Sequence, residues 1–177
     1  METERLRLRR WKAEDCEPFA RLNADARVME FFSKTATREA SDAMAERIER
    51  GFAQHGFGLY ALELRETGEF IGFTGLAVPE FDAPFMPSVE IGWRLAFEHW
   101  GRGLATEAAR AALRYGFEEL GLTEIVAFTV PANKRSWRVM EKIGMTHDPR
   151  GDFDHPKVPE GSALKRHVLY RARKNRG

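Results

Sequence analysis

A chain of 177 residues, 43% apolar, 31% charged and 11% aromatic, is long enough to bury one core and too balanced in composition for disorder, collagen or a simple coiled coil. Its 28 Lys and Arg nearly cancel 27 Asp and Glu, so no whole-molecule field draws it to nucleic acid or anionic lipid, and neither partner is expected. The lone cysteine, Cys16, excludes an internal disulfide and a Cys-rich zinc site. No run approaches the ~18 apolar residues of a membrane span and no apolar signal core follows Met1-Glu2-Thr3-Glu4-Arg5, so a cytoplasmic protein is expected.

Leu6 and Leu8 alternate with Arg5, Arg7 and Arg9, the period of a half-buried strand. Phe19, Leu22 and Ala26 then recur at helical spacing from about Glu14, with Pro18 tolerable in a first turn. Ala40, Met44, Ile48 and Phe52 predict a second amphipathic helix with Thr37 as N-cap and Gly51 near its end. Strands over Phe57 to Leu64 and Glu69 to Val78 flank Arg65-Glu66-Thr67-Gly68, whose Thr-Gly pair suits an antiparallel hairpin. Three prolines between Pro79 and Pro87 predict an irregular loop.

Strand character resumes over Val89 to Leu95, and a long helix runs from Trp100 to about Leu120 with a buried stripe of Ala105, Ala108, Ala109, Ala112, Leu113, Gly116 and Phe117. A strand over Thr123 to Val130, a helix over Lys134 to Ile143, and two strands, Met145 to Phe153 and Leu164 to Arg171, complete the order βααβββαβαββ. This is an α+β (mixed α/β) fold in one domain, 1–177, with a basic tail at about 172–177.

The stretch with the most chemistry is His99-Trp100-Gly101-Arg102-Gly103-Leu104-Ala105-Thr106-Glu107, between a strand and a helix. Two glycines permit backbone conformations that a Cβ obstructs, and the helix start offers unpaired N–H groups to a phosphate. A G-x-G before a helix is also ordinary turn chemistry, and the stretch lacks both the third glycine of a dinucleotide fingerprint and the Gly-Lys-Ser/Thr of a P-loop.

Strand, W-G-R-G-L-A-T-E-A and an alanine-lined helix, followed downstream by Asn133-Lys134-Arg135-Ser136 and Glu141-Lys142-Ile143-Gly144-Met145, resemble the GNAT N-acetyltransferase superfamily over nearly the whole chain, in its ribosomal-protein alanine N-acetyltransferase branch. The resemblance implies a mixed, mostly antiparallel sheet splayed at an acyl-CoA site. It also implies acetyl-CoA as acyl donor with no metal, and direct transfer to a primary amine of a protein N-terminus or a small molecule. A homodimer is left open. By the same resemblance, Gly101, Arg102, Gly103, Leu104, Ala105 and Thr106 hold the pyrophosphate, and the backbones of Arg94, Leu95 and Ala96 meet the pantetheine arm. Asn133 and Ser136 contact the cofactor, Glu90 serves as general base, and Ser136 or Tyr170 supplies a proton, because Met140 stands where many relatives carry a tyrosine acid.

Each residue also has a plainer reading: Glu90 as a solvated strand-end carboxylate, Asn133 as a helix N-cap, Ser136 as a first-turn serine. Phe31, Phe32, Phe57, Trp93 and Trp137 fit an acceptor pocket or simply the core. Asp152, Asp154, His155 and His167 invite a metal site but offer no helical ligand pair. Six Lys and Arg between Lys165 and Gly177 could meet the coenzyme's 3'-phosphate or stay solvated. The alternative function is a non-catalytic acyl-CoA binding or sensor module, which the absent tyrosine would suit.

Overall fold

The computed structural model describes residues 1–174. Strand β1 (Leu6–Arg9) leads through a 3-10 turn (Ala13–Asp15) into α1 (Cys16–Ala24) and α2 (Arg38–His55). Then come β2 (Leu59–Leu64), β3 (Phe70–Ala77), β4 (Glu90–Leu95), α3 (Leu104–Glu118), β5 (Glu124–Thr129) and α4 (Lys134–Lys142), followed by β6 (Thr146–His147), β7 (Phe153–Asp154) and β8 (Arg166–Arg173). The sheet runs β1-β2-β3-β4-β5-β8-β6, with β7 on β8, and every pair is antiparallel except β4 with β5.

One sheet face carries α3. Its alanines Ala108, Ala109, Ala111 and Ala112 are buried, and their small size lets the helix lie close over Leu76, Ile91, Leu95 and Ile125. Gly116 marks the closest approach, where an added Cβ would fall 2.6 Å from Ile125 Cδ1. The other face carries α1 and α2 through Phe19, Leu22, Ala45 and Phe73. Arg9 ties these parts together: its guanidinium donates to both oxygens of buried Asp15 (2.6 and 2.8 Å) and to Glu63 (2.5 Å), joining β1, the 3-10 turn and β2.

Several boundaries differ from the sequence expectation, each for a local reason. Asp15 is spent on Arg9, so α1 starts at Cys16, and Pro18 falls in its first turn as its missing N–H requires. Helix α2 runs through Gly51 and is closed by left-handed Gly56, while Thr37 caps its start by accepting from Ala40 N. Helix α3 begins at Leu104, because Gly101 and Gly103 have φ of 74° and 79°. The strand expected over 145–153 is two short pieces: Asp148 accepts from Gly151 N and turns the chain between them.

Strand β8 continues to Arg173, so the basic tail does not begin at 172. Ala172 is buried, and residues 175–177 lie outside the described residues. The described cations of that run are engaged locally, Lys165 with Val158 O, Arg166 with Asp154, Arg171 with Glu124 and Asp148, Arg173 with Glu124, and Lys174 with Phe117 O. None of them lines the cleft described next.

Candidate active site

Strand β4 creates the site by parting from β5. The two pair in parallel only at Glu90 and Val126, with Val126 N donating to Val89 O, and β4 continues beyond that point on β3 alone. The ladder with β3 decides which main-chain groups are left over. Ala96 N bonds Ile71 O and the Thr74 hydroxyl bonds Gly92 O, so the N–H and C=O groups of residues 90, 92 and 94 turn toward β3, and those of 91, 93 and 95 turn toward the gap. Trp93 therefore offers both main-chain groups to an arm lying in the gap, and Leu95 its N–H, its carbonyl being taken by the Trp100 indole. Arg94, expected to do so, has its main chain committed to β3, and Ala96 spends its N–H on Ile71 O and its carbonyl on His99 N.

Beyond the gap, the loop Trp100 to Gly103 delivers the start of α3. The Trp100 indole donates to Leu95 O (2.8 Å), fixing the loop to the end of β4. Helix α3 has no side-chain cap, since left-handed Gly103 occupies the N-cap, and the N–H groups of its first turn point outward. Glu107 pins the outer side, accepting from Thr3 Oγ1 (2.6 Å) and from Arg5 N and Nε (2.9 and 2.7 Å).

These parts bound a cleft of about 800 Å³. It brings together Glu90, Arg94, Leu95, Gly101, Gly103, Leu104, Ala105, Thr106, Asn133 and Ser136 from the sequence-predicted set. It does not include Ala96, Arg102 or Tyr170. Arg102 is exposed beside the His99 ring. Tyr170 is buried against Trp137 and His147 with its hydroxyl donating to Glu141 Oε1 (3.5 Å), so the tyrosine suggested as proton donor is held out of the cleft.

Glu90 is the only carboxylate lining the cleft among the described residues, and it has no hydrogen-bond or ion-pair partner there. Removal from water without compensation pushes its carboxyl up from 4.5 to about 8. A group so poised holds or releases a proton near neutral pH. Asn133 does cap α4, its Oδ1 accepting from Ser136 N (3.2 Å) and its Nδ2 donating to Thr129 Oγ1 (3.1 Å), which leaves one N–H and one lone pair free. The Ser136 hydroxyl bonds no protein group among the described residues.

Of the aromatics, Phe31, Phe32 and Trp93 line the cleft, while Phe57 and Trp137 pack on the core. The far wall is Phe128, His155 and His167. Burial drives the His155 imidazole down to about 4 and lowers His167, so both rings are neutral. Among the described residues no group of three His, Cys, Asp or Glu side chains is placed to hold a metal.

The sequence reading missed Arg138 and Lys142, cations of α4 that face the cleft beside the α3 N-terminus. Their spacing with Arg135, three and four residues apart along one helix, carried that signal.

The site is thus a sheet parted beside an uncapped helix start, with an unpartnered carboxyl between them. Residues 5–146 match the family described as an acetyltransferase (GNAT) domain, and the chain belongs to that family. The Bacillus subtilis (strain 168) protein YkkB is 40% identical over 148 residues, 81% of this chain and 83% of its own length. An acetyltransferase structure from Agrobacterium tumefaciens str. C58 superposes with a TM-score of 0.79 at 30% identity, covering 98% of this chain and 94% of that one. A spermidine N-acetyltransferase of Vibrio cholerae, solved with CoA and spermine, shares the fold at 20% identity, with a TM-score of 0.73 over 97% and 96% of the two chains. No helix of the described residues is long and apolar enough to cross a membrane.

Proposed function

We propose that the protein is an acetyl-CoA-dependent N-acetyltransferase acting on a primary amine, a protein N-terminus or a small molecule, by direct attack of the amine. The carrying observation is Glu90, an unpaired carboxyl raised to about 8 in the cleft that the β4 gap and the α3 N-terminus share. Bound acetyl-CoA supplies the acyl group activated as a thioester. The α3 first-turn N–H groups hold the pyrophosphate, and Arg138 and Lys142 add positive charge beside it. Main-chain groups of Trp93 and Leu95 orient the pantetheine arm. Glu90 takes the ammonium proton, directly or through water, since only the neutral amine has a lone pair for attack. Attack forms the N–C bond, and as the C–S bond breaks the adduct's surplus N–H proton is lost to solvent while the Ser136 hydroxyl, free of protein partners, relays one proton from solvent to the departing sulfur, so the products are the amide and free CoA thiol.

Met140 in the usual tyrosine position and the absence of Tyr170 from the cleft favour a second reading, an acyl-CoA sensor without turnover. Thiol release from acetyl-CoA over amines, amino acids, peptides and aminoglycosides separates the two. Turnover with at least one class supports the enzyme, and cofactor binding with no turnover across the panel supports the sensor.

A further inference from the structure

Directly opposed residues of β3 and β4 share a sheet face, and the register sets Ala77 against Glu90, Gly75 against Gly92, and Phe73 against Arg94. This face looks toward α1 and α2. Glu90 and Arg94 thus stand on the same side of one strand, about 13 Å apart at four residues of ~3.3 Å rise. The cleft floor between them is Gly92 with Ala77 beside Glu90. Gly92 is not there for its backbone, which is not left-handed, and an added Cβ would meet only Leu59 Cδ2 at 3.9 Å. Gly75, opposite, is required by its own backbone, since its φ is 152° and a Cβ would fall 2.2 Å from Gly58 O. The missing side chain at Gly92 leaves a trough.

At its far end the Arg94 guanidinium stacks on the Phe32 ring (4.3 Å to the centroid) and donates from Nη1 to Asn23 Oδ1 (2.6 Å). No carboxylate lies within ion-pair distance of it among the described residues, unlike Arg9, Arg171 or Arg5, each of which meets an acid. Enclosure lowers its pKa to about 10 and leaves it cationic at neutral pH. A half-buried guanidinium has five donors, and the protein accepts from only one of its nitrogens with good geometry. The remaining fork suits a planar anion.

We infer that Arg94 is the specificity-determining residue of the acceptor site, and that the acceptor is an amine carrying an anionic group, a carboxylate or a phosphate, lying in the trough over Gly92 with its amine at Glu90 and its anion at Arg94. This rests on the acetyltransfer reading above and narrows it. A polycationic amine would place positive charge against Arg94, so spermidine is a poor acceptor by the same geometry.

The test uses matched acceptors with wild type, Arg94→Gln and Gly92→Val. Tetraglycine against its C-terminal amide, about 13 Å long when extended, probes the carboxylate, and 10-aminodecyl phosphate against 10-aminodecanol probes the phosphate. In wild type the anionic member of at least one pair is favoured by tenfold or more in kcat/KM, and the pair that responds identifies the anion. Arg94→Gln brings that ratio to about one. Gly92→Val raises acceptor KM at least tenfold with melting unchanged.

Calorimetric binding of the same pairs in the presence of CoA gives the ratio without turnover, so failure of the enzyme reading and failure of this inference are separately visible. Ratios near one in wild type, ratios preserved in Arg94→Gln, a loss in Arg94→Gln that appears equally in acetyl-CoA KM, or spermidine as the best acceptor would each overturn it.

Discussion

Replacing Glu90 by Gln keeps the shape of the side chain and removes its titration, and the structure assigns the change two opposite signatures. With a pKa of about 8, only ~10% of Glu90 is ionised at pH 7 and ~90% at pH 9, so wild-type kcat at saturating acceptor rises nearly tenfold between them. The Gln variant loses that inflection and ~100-fold in kcat, and its residual rate follows the amine's own ionisation near ~10.

Stability moves the other way. The folded carboxyl titrates at about 8 and the unfolded one near 4.5, so the native state binds more protons between those values, and stability falls as pH rises through the window. At 1.36 kcal/mol per pH unit the full penalty above pH 8 is ~5 kcal/mol, which water entering the half-open cleft reduces to ~1–3. Glu90→Gln therefore melts higher than wild type at pH 9, by roughly 2–10 °C for a chain of this size, and equally at pH 4. Calorimetric scans at the two pH values beside initial-rate kinetics check both signatures. A variant with wild-type turnover, a flat wild-type profile above pH 6, or equal melting at pH 9 would refute the assignment of Glu90 as an unpaired, half-buried base.

Gly103→Val cannot hold a φ of 79° and must re-form the loop, so acetyl-CoA affinity should fall at least tenfold, about 1.4 kcal/mol, by equilibrium titration. Asn133→Ala removes the α4 cap at ~1 kcal/mol of stability. Its kcat/KM should fall by more than the melting shift accounts for, because Asn133 lines the cleft with one amide N–H unclaimed by the protein. Glu63→Gln leaves half-buried Arg9 with Asp15 as its one carboxylate and should cost ~1–2 kcal/mol in denaturant unfolding. The loss should fade in wild type under acid, since Arg9 holds the Glu63 carboxyl below its ordinary range and stability is lost as pH falls through that lowered value.

Much of the scaffold was legible because its signals are local. Period-2 leucines mark β1, Thr37 and the 3.6-residue stripe mark α2, and Gly101 and Gly103 before an alanine-rich run mark the loop and α3. The parts that escaped are set by distant partners. Whether the backbone of Arg94 or of Trp93 faces the β4 gap depends on the parity of pairing with β3, which Ala96 N to Ile71 O fixes and no local pattern reveals. The Arg94 side chain looked incidental in sequence because its meaning comes from what is absent around it, an acid partner and a side chain at Gly92. The period-2 series Glu90, Gly92, Arg94 held that information once the strand was known to be half-buried. The placement of Tyr170 escaped in the same way: its strand was foreseen, but the packing of Trp137 and His147 around its ring joins α4, β6 and β8.

The central claim is that this cleft moves an acyl group from acetyl-CoA to an amine. Mass spectrometry with acetyl-CoA carrying an isotopic label in the acetyl group, run together with thiol release on the same samples, measures this most directly. One labelled acetyl is expected on the acceptor amine for each thiol freed, lost together in Glu90→Gln and in Gly103→Val. Thiol release with no labelled acceptor, or labelled acceptor formed equally by both variants, would contradict it.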